Sequence, residues 1–522
     1  MTNEQRHLPL SFLVLTTFLC GGLIMIIEVM GSRVIGPLFG VGIFVWSSLI
    51  AVTMIALALG YSVGGRLSDR FPSPNLLYAL IALGGLFTLL VPVLKGVVLQ
   101  ACLAFGLRLG SFVSSLLLFG PALFTLGCVS PYVIRLAARE LQQLGKTVGT
   151  FYALSTVGSV VGTIVAGFFL IAVMSVNQIF YLVGAMLLFL ALTYFVVWRK
   201  AYMAAALVLL LWPLYPAEQL VEKLLPNGTT VRQVHKEDSY YGSVQVVEYS
   251  YGQKRTRELL IDGLIQGGID MVGGESLYPY AYTLGWAPQV IRPGGENCLV
   301  IGLGAGIIPR FYESSGVKVD VIDIDPKIVD IAENYFGFRT SGEVFIEDAR
   351  YFLTTHPTRY DYLVLDVFNG DTTPAHLLSV EAFDLMRSRL SAEGVLAINL
   401  IGGVWEDNYM TASVVNTLKQ VFDQVDLYTT FGEDAAWGNI SIFAYGGEPF
   451  VPDATGFVRG RVHPLAVKSV AGLHRNKYQF KDEVKWIELR DSYNPIDVFD
   501  IDLKEKLRES ILRDTDWDIL SS

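Results

Sequence analysis

Cys298-Leu-Val-Ile-Gly302-Leu-Gly304-Ala-Gly306-Ile-Ile-Pro-Arg310, with Val319-Asp-Val-Ile-Asp323-Ile-Asp325 soon after it, decides the fold of the second half of this chain. An apolar run, a turn of alternating glycines, a helix-length segment and a second apolar run closed by an acid predict strand, turn, helix, strand. Gly302, Gly304 and Gly306 let the backbone turn tightly and bring N–H groups against a ligand. Asp323, 21 residues beyond Gly302, is placed to accept hydrogen bonds from ribose hydroxyls. The spacing is Gly-x-Gly-x-Gly rather than the dinucleotide pattern Gly-x-Gly-x-x-Gly, and Asp348-Ala349 follows the third strand, where a carboxylate can hold an adenine amino group. These features favour a sulfonium nucleoside over NAD.

The pattern continues downstream as a helix over 326–335, a strand over 344–346, a strand over 362–366, a helix over 380–390 and a strand over 395–400. Alternating strands and helices specify a parallel, Rossmann-like α/β sheet with its ligand at the carboxyl ends of the strands. Asp366 closes the fourth strand, beside the expected position of the nucleoside's reacting carbon, where a carboxylate can take a proton from an attacking amine. His376 reads as an ordinary loop histidine, and no histidine has metal-ligand spacing. Upstream, 229–262 alternates apolar and polar residues between glycines, which predicts a small antiparallel β subdomain. The expected divisions are 1–216, 217–290 and 291–522.

The first of these divisions is membrane-like. Hydrophobic residues make up 52% of the chain and charged residues 17%, too few charges for a wholly soluble protein. Apolar runs at 8–29, 41–63, 76–94, 112–134, 149–173, 179–198 and 201–215 predict about seven transmembrane helices, with counts of six or eight also open because 201–215 is short and 96–109 reads as amphipathic or re-entrant. No cleavable signal peptide is expected. Residues 1–216 carry a net charge of +7 and the remainder −17, which argues against a nucleic-acid partner. Arg66 and Arg70, then Arg135, Arg139 and Lys146, then Arg199 and Lys200 mark three cytoplasmic loops. A spanning 201–215 would carry the soluble part outside, whereas sulfonium nucleosides are made in the cytoplasm; the expectation is a multi-pass membrane protein with a cytoplasmic soluble domain. Glu28 and Arg33 are the ionisable candidates at membrane depth, as a functional site or a structural ion pair, with the alternative that Glu28, close to the helix end, simply reaches the interface. Gly60 and Gly64, and Gly158, Gly162 and Gly167, read as helix-packing positions. The cysteines Cys20, Cys102, Cys128 and Cys298 read as packing residues.

An ordered set of motifs carries a family resemblance. Ser239-Tyr-Tyr241-Gly, Leu260-Ile-Asp262-Gly-Leu-Ile-Gln266, Glu275-Ser-Leu-Tyr278, the glycine turn, Asp348-Ala349 and Tyr360-Asp-Tyr-Leu-Val-Leu-Asp366 resemble the polyamine aminopropyltransferase (spermidine synthase) family. The first half, with Glu28, Arg33, Gly65-Arg-Leu-Ser-Asp-Arg70 and Phe151-Tyr-Ala-Leu-Ser-Thr-Val-Gly-Ser-Val-Val-Gly162, resembles the membrane half of its fused bacterial members. The resemblance implies transfer of an aminopropyl group from decarboxylated S-adenosylmethionine to an amine such as putrescine, in a homo-oligomer, a dimer, seated in the lipid bilayer. By position it implies donor contacts from Gln266, Gly302, Gly304, Gly306, Asp323, Asp348 and Ala349, acceptor contacts from Tyr241, Tyr278 and Asn369, and a catalytic base in Asp366, with no metal. The chain departs from the family at Ala305 and Asn369, each in place of an Asp, at Gly242 in place of a Gln, at Pro279 and Tyr280 in place of a polar pair, and at Asp323 in place of a Glu. Two other readings stay open: an S-adenosylmethionine-dependent methyltransferase, and a non-catalytic transporter or sensor gated by a polyamine or nucleoside.

Overall fold

In the computed structural model of the chain, the described residues are 8–521 apart from 41, 139–143, 201–219, 369–372, 406–407, 432–434, 453–456, 482 and 500. They divide into two compact units: residues up to 219 with 237–243 and 517–522, and residues 220–236 with 244–516.

The first unit holds six helical segments long and apolar enough to cross a bilayer: Leu10–Phe39, Ile43–Arg70, Pro74–Leu118, Gly120–Ala137, Leu144–Val173 and Val176–Val197. The predicted seventh, 201–215, lies outside the described residues. The stretch 96–109, expected to be amphipathic or re-entrant, is helical for most of its length. It comprises the end of the helix Pro74–Cys102, a 3-10 turn at Leu103–Phe105 and the start of the helix Gly106–Leu118, with Gly106 at φ +74°. Large apolar side chains point outward, Phe168 at 70% and Phe189 at 71% exposure, as lipid-facing surfaces require. Inside, small residues bring backbones together. A Cβ on Gly162 would overlap the Gly22 carbonyl and one on Gly158 the Phe18 carbonyl, so the first and fifth spans touch backbone to backbone. Gly60 and Gly64 do the same against Gly127 and Cys128. Gly167 departs from the packing expectation: it lies in a π-turn, Ala166–Leu170, with open space where its Cβ would be. Polar side chains add cross-links, Thr16 with Tyr78 at 3.0 Å and the Tyr194 hydroxyl donating to Asn75 at 2.6 Å. Gly162→Leu is therefore expected to destabilise this unit by about 1–3 kcal/mol, and Gly167→Leu by less than about 0.5 kcal/mol. Thermal unfolding of the two variants in detergent checks this.

The second unit contains two sheets. Strands β1 (Glu222–Leu224), β2 (Thr230–Asp238), β3 (Ser243–Tyr251), β4 (Lys254–Ile261) and β5 (Leu264–Asp270) form a five-stranded sheet in sequence order, with β1 antiparallel to β2 and β4 antiparallel to both β3 and β5. A larger sheet uses β6 (Asn297–Ile301), β7 (Lys318–Asp323), β8 (Val344–Ile346), β9 (Tyr360–Leu365), β10 (Leu390–Gly403), β11 (Gln424–Thr429), β12 (Trp437–Tyr445) and β13 (Lys477–Tyr478). Its order is β13-β11-β12-β10-β9-β6-β7-β8, parallel from β10 to β8 and antiparallel beyond. Along β6, Cys298 and Val300 enter one core while Leu299 and Ile301 enter the other, so both faces are covered and the strand reads as an unbroken apolar run. The strand order reverses between β6 and β9, and crevices for ligands open at such points. The four cysteines are buried and free.

Candidate active site

The glycine turn leaves β6 with three positive φ angles: +90° at Gly302, +51° at Gly304 and +67° at Gly306. Gly302 is doubly constrained. Its backbone lies in a region that L side chains avoid, and a Cβ there would collide with the main-chain carbonyl of Asp366. Gly306 opens the helix Ile307–Ser314 as its left-handed N-cap. Asp323, at the end of β7, accepts from the Leu303 N–H and the Asp325 N–H, both at 2.9 Å, and so ties the turn to the neighbouring strand. Burial pushes its carboxyl up to about 6, outweighing the backbone hydrogen bonds that favour the anion.

Asp366 follows β9 and faces the same crevice. Burial raises its carboxyl to about 6, and the Asn399 amide, donating to Oδ1 at 2.7 Å, partly offsets that rise. Asn439 in turn donates to the Asn399 side-chain oxygen at 3.0 Å, which fixes the Asn399 amide with its N–H toward the carboxylate. Asn399 is fully buried in the middle of β10. This Asp366–Asn399–Asn439 chain escaped the sequence reading, although an asparagine inside the apolar run Val395-Leu-Ala-Ile-Asn399-Leu was the available signal. Asn399→Ala is expected to raise the Asp366 pKa, moving the acidic limb of any Asp366-dependent rate upward by about one pH unit, since one unit corresponds to about 1.4 kcal/mol, the size of one hydrogen bond to a charged group. A pH–rate profile of the variant checks it.

Gln266 on β5 reaches the turn: its carbonyl lies 3.4 Å from where a Gly304 Cβ would stand, and it accepts from the Tyr280 hydroxyl at 3.0 Å. Ala305 is buried against Gly267 and belongs to the core rather than to a charged lining. Tyr278 stacks on Tyr280 with centroids 6.3 Å apart, and its hydroxyl donates to Glu258 at 2.6 Å. Asp348 caps the helix Ala349–Thr355, accepting from the Tyr351 N–H at 3.0 Å, and its other oxygen lies 3.6 Å from His376 Nε2; Ala349 is buried beneath it. The loop carrying His376 is strapped from the C-terminal side. Asp491 pairs with Arg350 and accepts from Ser379 at 2.6 Å, and Asn494 donates to the Ala375 carbonyl at 2.8 Å. Nothing in the sequence of that tail foretold the strap.

The remaining candidates lie elsewhere. Asn369 is outside the described residues. Tyr241 belongs to the first unit, half-exposed in a turn where its N–H donates to Ser239 Oγ at 3.0 Å. Glu28 and Arg33 form no ion pair with each other among the described residues; the Arg33 guanidinium donates to the Tyr240 carbonyl, also in the first unit.

The family profile described as "Spermine/spermidine synthase domain" matches residues 278–444, from Tyr278 through the glycine turn, Asp323, Asp348 and Asp366 to β12. The C-terminal part of the chain carries a spermine/spermidine synthase domain. The chain is 36% identical over 139 residues to an N-terminal histidine N-methyltransferase of Emericella nidulans, covering 26% of this chain and 25% of that one. It is 34% identical over 131 residues to a polyamine aminopropyltransferase of Vibrio vulnificus, covering 23% of this chain and 43% of that one. A crystal structure of a probable spermidine synthase from Corynebacterium glutamicum superposes with a TM-score of 0.36 at 19% identity, covering 41% of this chain and 79% of that one. The chain spans between about a quarter and a half of the length of the first curated relatives it matches.

Proposed function

We propose that the protein is a membrane-anchored aminopropyltransferase, moving the aminopropyl group of decarboxylated S-adenosylmethionine to an amine such as putrescine. The observation that carries this reading is the placement of Asp366: a half-buried carboxylate at the switch point of the sheet, touching the glycine turn through its own backbone and held by the Asn399 amide. The amine nitrogen attacks the carbon next to the sulfonium, forming the C–N bond as the C–S bond breaks. The C–S electron pair neutralises the sulfur, and methylthioadenosine leaves. The ammonium formed on the acceptor gives its proton to Asp366. Such a displacement needs little covalent help, and alignment of a deprotonated amine with the carbon supplies most of the acceleration. Asp323 and Asp348 are assigned to the ribose and adenine, Gln266 and the glycine turn to the rest of the donor, and Tyr278 to the acceptor side. The six apolar spans supply the anchor.

A second reading is favoured by one observation. Ala305 brings no charge to the centre of the turn, which leaves room for the carboxylate of S-adenosylmethionine itself, and methyltransferases stand among the relatives. Calorimetry of the full chain in detergent with both donors and methylthioadenosine, followed by mass spectrometry of products from an amine panel, separates the two. An aminopropylated product with tight methylthioadenosine binding supports the first reading, and methylated product overturns it. Binding without turnover favours a sensor.

A further inference from the structure

Glu258 has no part in the chemistry described so far, and its surroundings are unusual for a carboxylate. It stands on β4 opposite Val247 of β3 and Gly268 of β5. Gly268 makes its room, because a Cβ there would lie 2.9 Å from Glu258 Cγ. One carboxylate oxygen accepts from the Tyr278 hydroxyl at 2.6 Å; among the described residues the other has no hydrogen-bond partner, and no Lys, Arg or His lies within ion-pair reach. The titratable groups facing it are Tyr249 from β3 and Tyr278, with Asp516 beyond Tyr249 and Asp366 beyond Tyr280. All are neutral or negative. Glu258 is half-buried, and an ionised carboxylate partly withdrawn from water without a cation is costly, so a charge of this kind is well matched by a ligand's charge.

Tyr278 is bonded to Glu258 and stacks on Tyr280, which lies near enough to Asp366 to feel its charge. A wall of two aromatic faces suits an aliphatic chain and attracts ammonium groups. We propose that Glu258 is a second anionic anchor of the acceptor pocket, holding the far ammonium of a diamine whose near amine lies at Asp366. The inference rests on the aminopropyltransferase reading for the near amine, while the far-ammonium contact is measurable without turnover.

The test titrates 1,4-diaminobutane and 1-aminobutane into the full-length protein in detergent with methylthioadenosine present, and measures kcat and KM for both amines with decarboxylated S-adenosylmethionine. In Glu258→Gln the preference for the diamine over the monoamine is expected to fall at least tenfold, in KM and in binding rather than in kcat. Glu258→Asp keeps the charge but withdraws it by one methylene, so its preference is expected to move toward 1,5-diaminopentane; this variant decides the matter if the glutamine form does not fold. Equal diamine preference in wild type and both variants overturns the proposal, as does a wild type that binds no diamine. Glu258-dependent diamine binding with no aminopropyl product upholds the anchor and overturns the reaction.

Discussion

Asp366→Asn is expected to lower aminopropyl transfer by about 10²–10⁴-fold, the span a positioned general base contributes, while making the synthase domain more stable at pH 8. Both effects come from one cause. The folded protein raises the Asp366 carboxyl from 3.8 to about 6 by burying it. Below the unfolded value the acid is protonated in both states and costs nothing. As pH rises through the folded value, stability falls, and the loss reaches about 3 kcal/mol once the buried carboxylate has fully formed, since each pKa unit between the unfolded and folded states is worth about 1.4 kcal/mol. Asparagine never ionises and still accepts from the Asn399 amide, so the variant keeps the hydrogen bond of the native pair. Thermal unfolding at pH 3 and pH 8 reads this directly: the variant's advantage should be present at pH 8 and largely absent at pH 3, below the unfolded value. Turnover within fivefold of wild type would remove Asp366 from the role of base. Activity of the wild type should rise with pH through about 6, as the carboxylate forms.

Gly302→Ala is expected to weaken methylthioadenosine binding by more than about 100-fold, or about 2.7 kcal/mol. A Cβ at φ +90° is strained by itself, at about 1–2 kcal/mol, and here it also meets the Asp366 carbonyl, so the turn and the base are displaced together. Gly304→Ala is the control. Its φ of +51° carries strain, but its nearest neighbour, the Gln266 carbonyl, lies 3.4 Å away, which is ordinary contact. Its loss should be at least tenfold smaller. Calorimetric titration of both variants with methylthioadenosine measures the difference, and equal losses would mean that the turn does not approach β9 as described.

Several features were legible in the chain because they are local. The run from Cys298 to Ile301 is apolar on both faces because helices cover both sides of a parallel sheet, and the acid that ends β7 marks where that burial stops. The spans of the first unit declare themselves through continuous hydropathy, and Gly158 and Gly162 through their spacing of four. Gly167 shared the composition but not the geometry, since a π-turn rotates it away from its neighbours.

The sequence by itself determined the apolar spans up to 198, the strands and helices from 298 to 400, the glycine turn and the acids at strand ends, since strand and helix periodicity and chain-reversing glycines depend only on near neighbours, whereas the antiparallel strands β11 to β13 appear only in the structure. Tertiary structure alone decided which side chains share a site. Asn399 and Asn439 stand behind Asp366 because β10 lies between β9 and β12 in the sheet, although β11 and β12 follow β10 in the chain. Glu258 meets Tyr278 because β5 and the turn after it fold the chain back by 20 residues. Asp491 straps a loop more than 100 residues upstream. Such pairings leave no periodic trace in the sequence; they are fixed by strand order, register and packing, which form only when the whole domain closes.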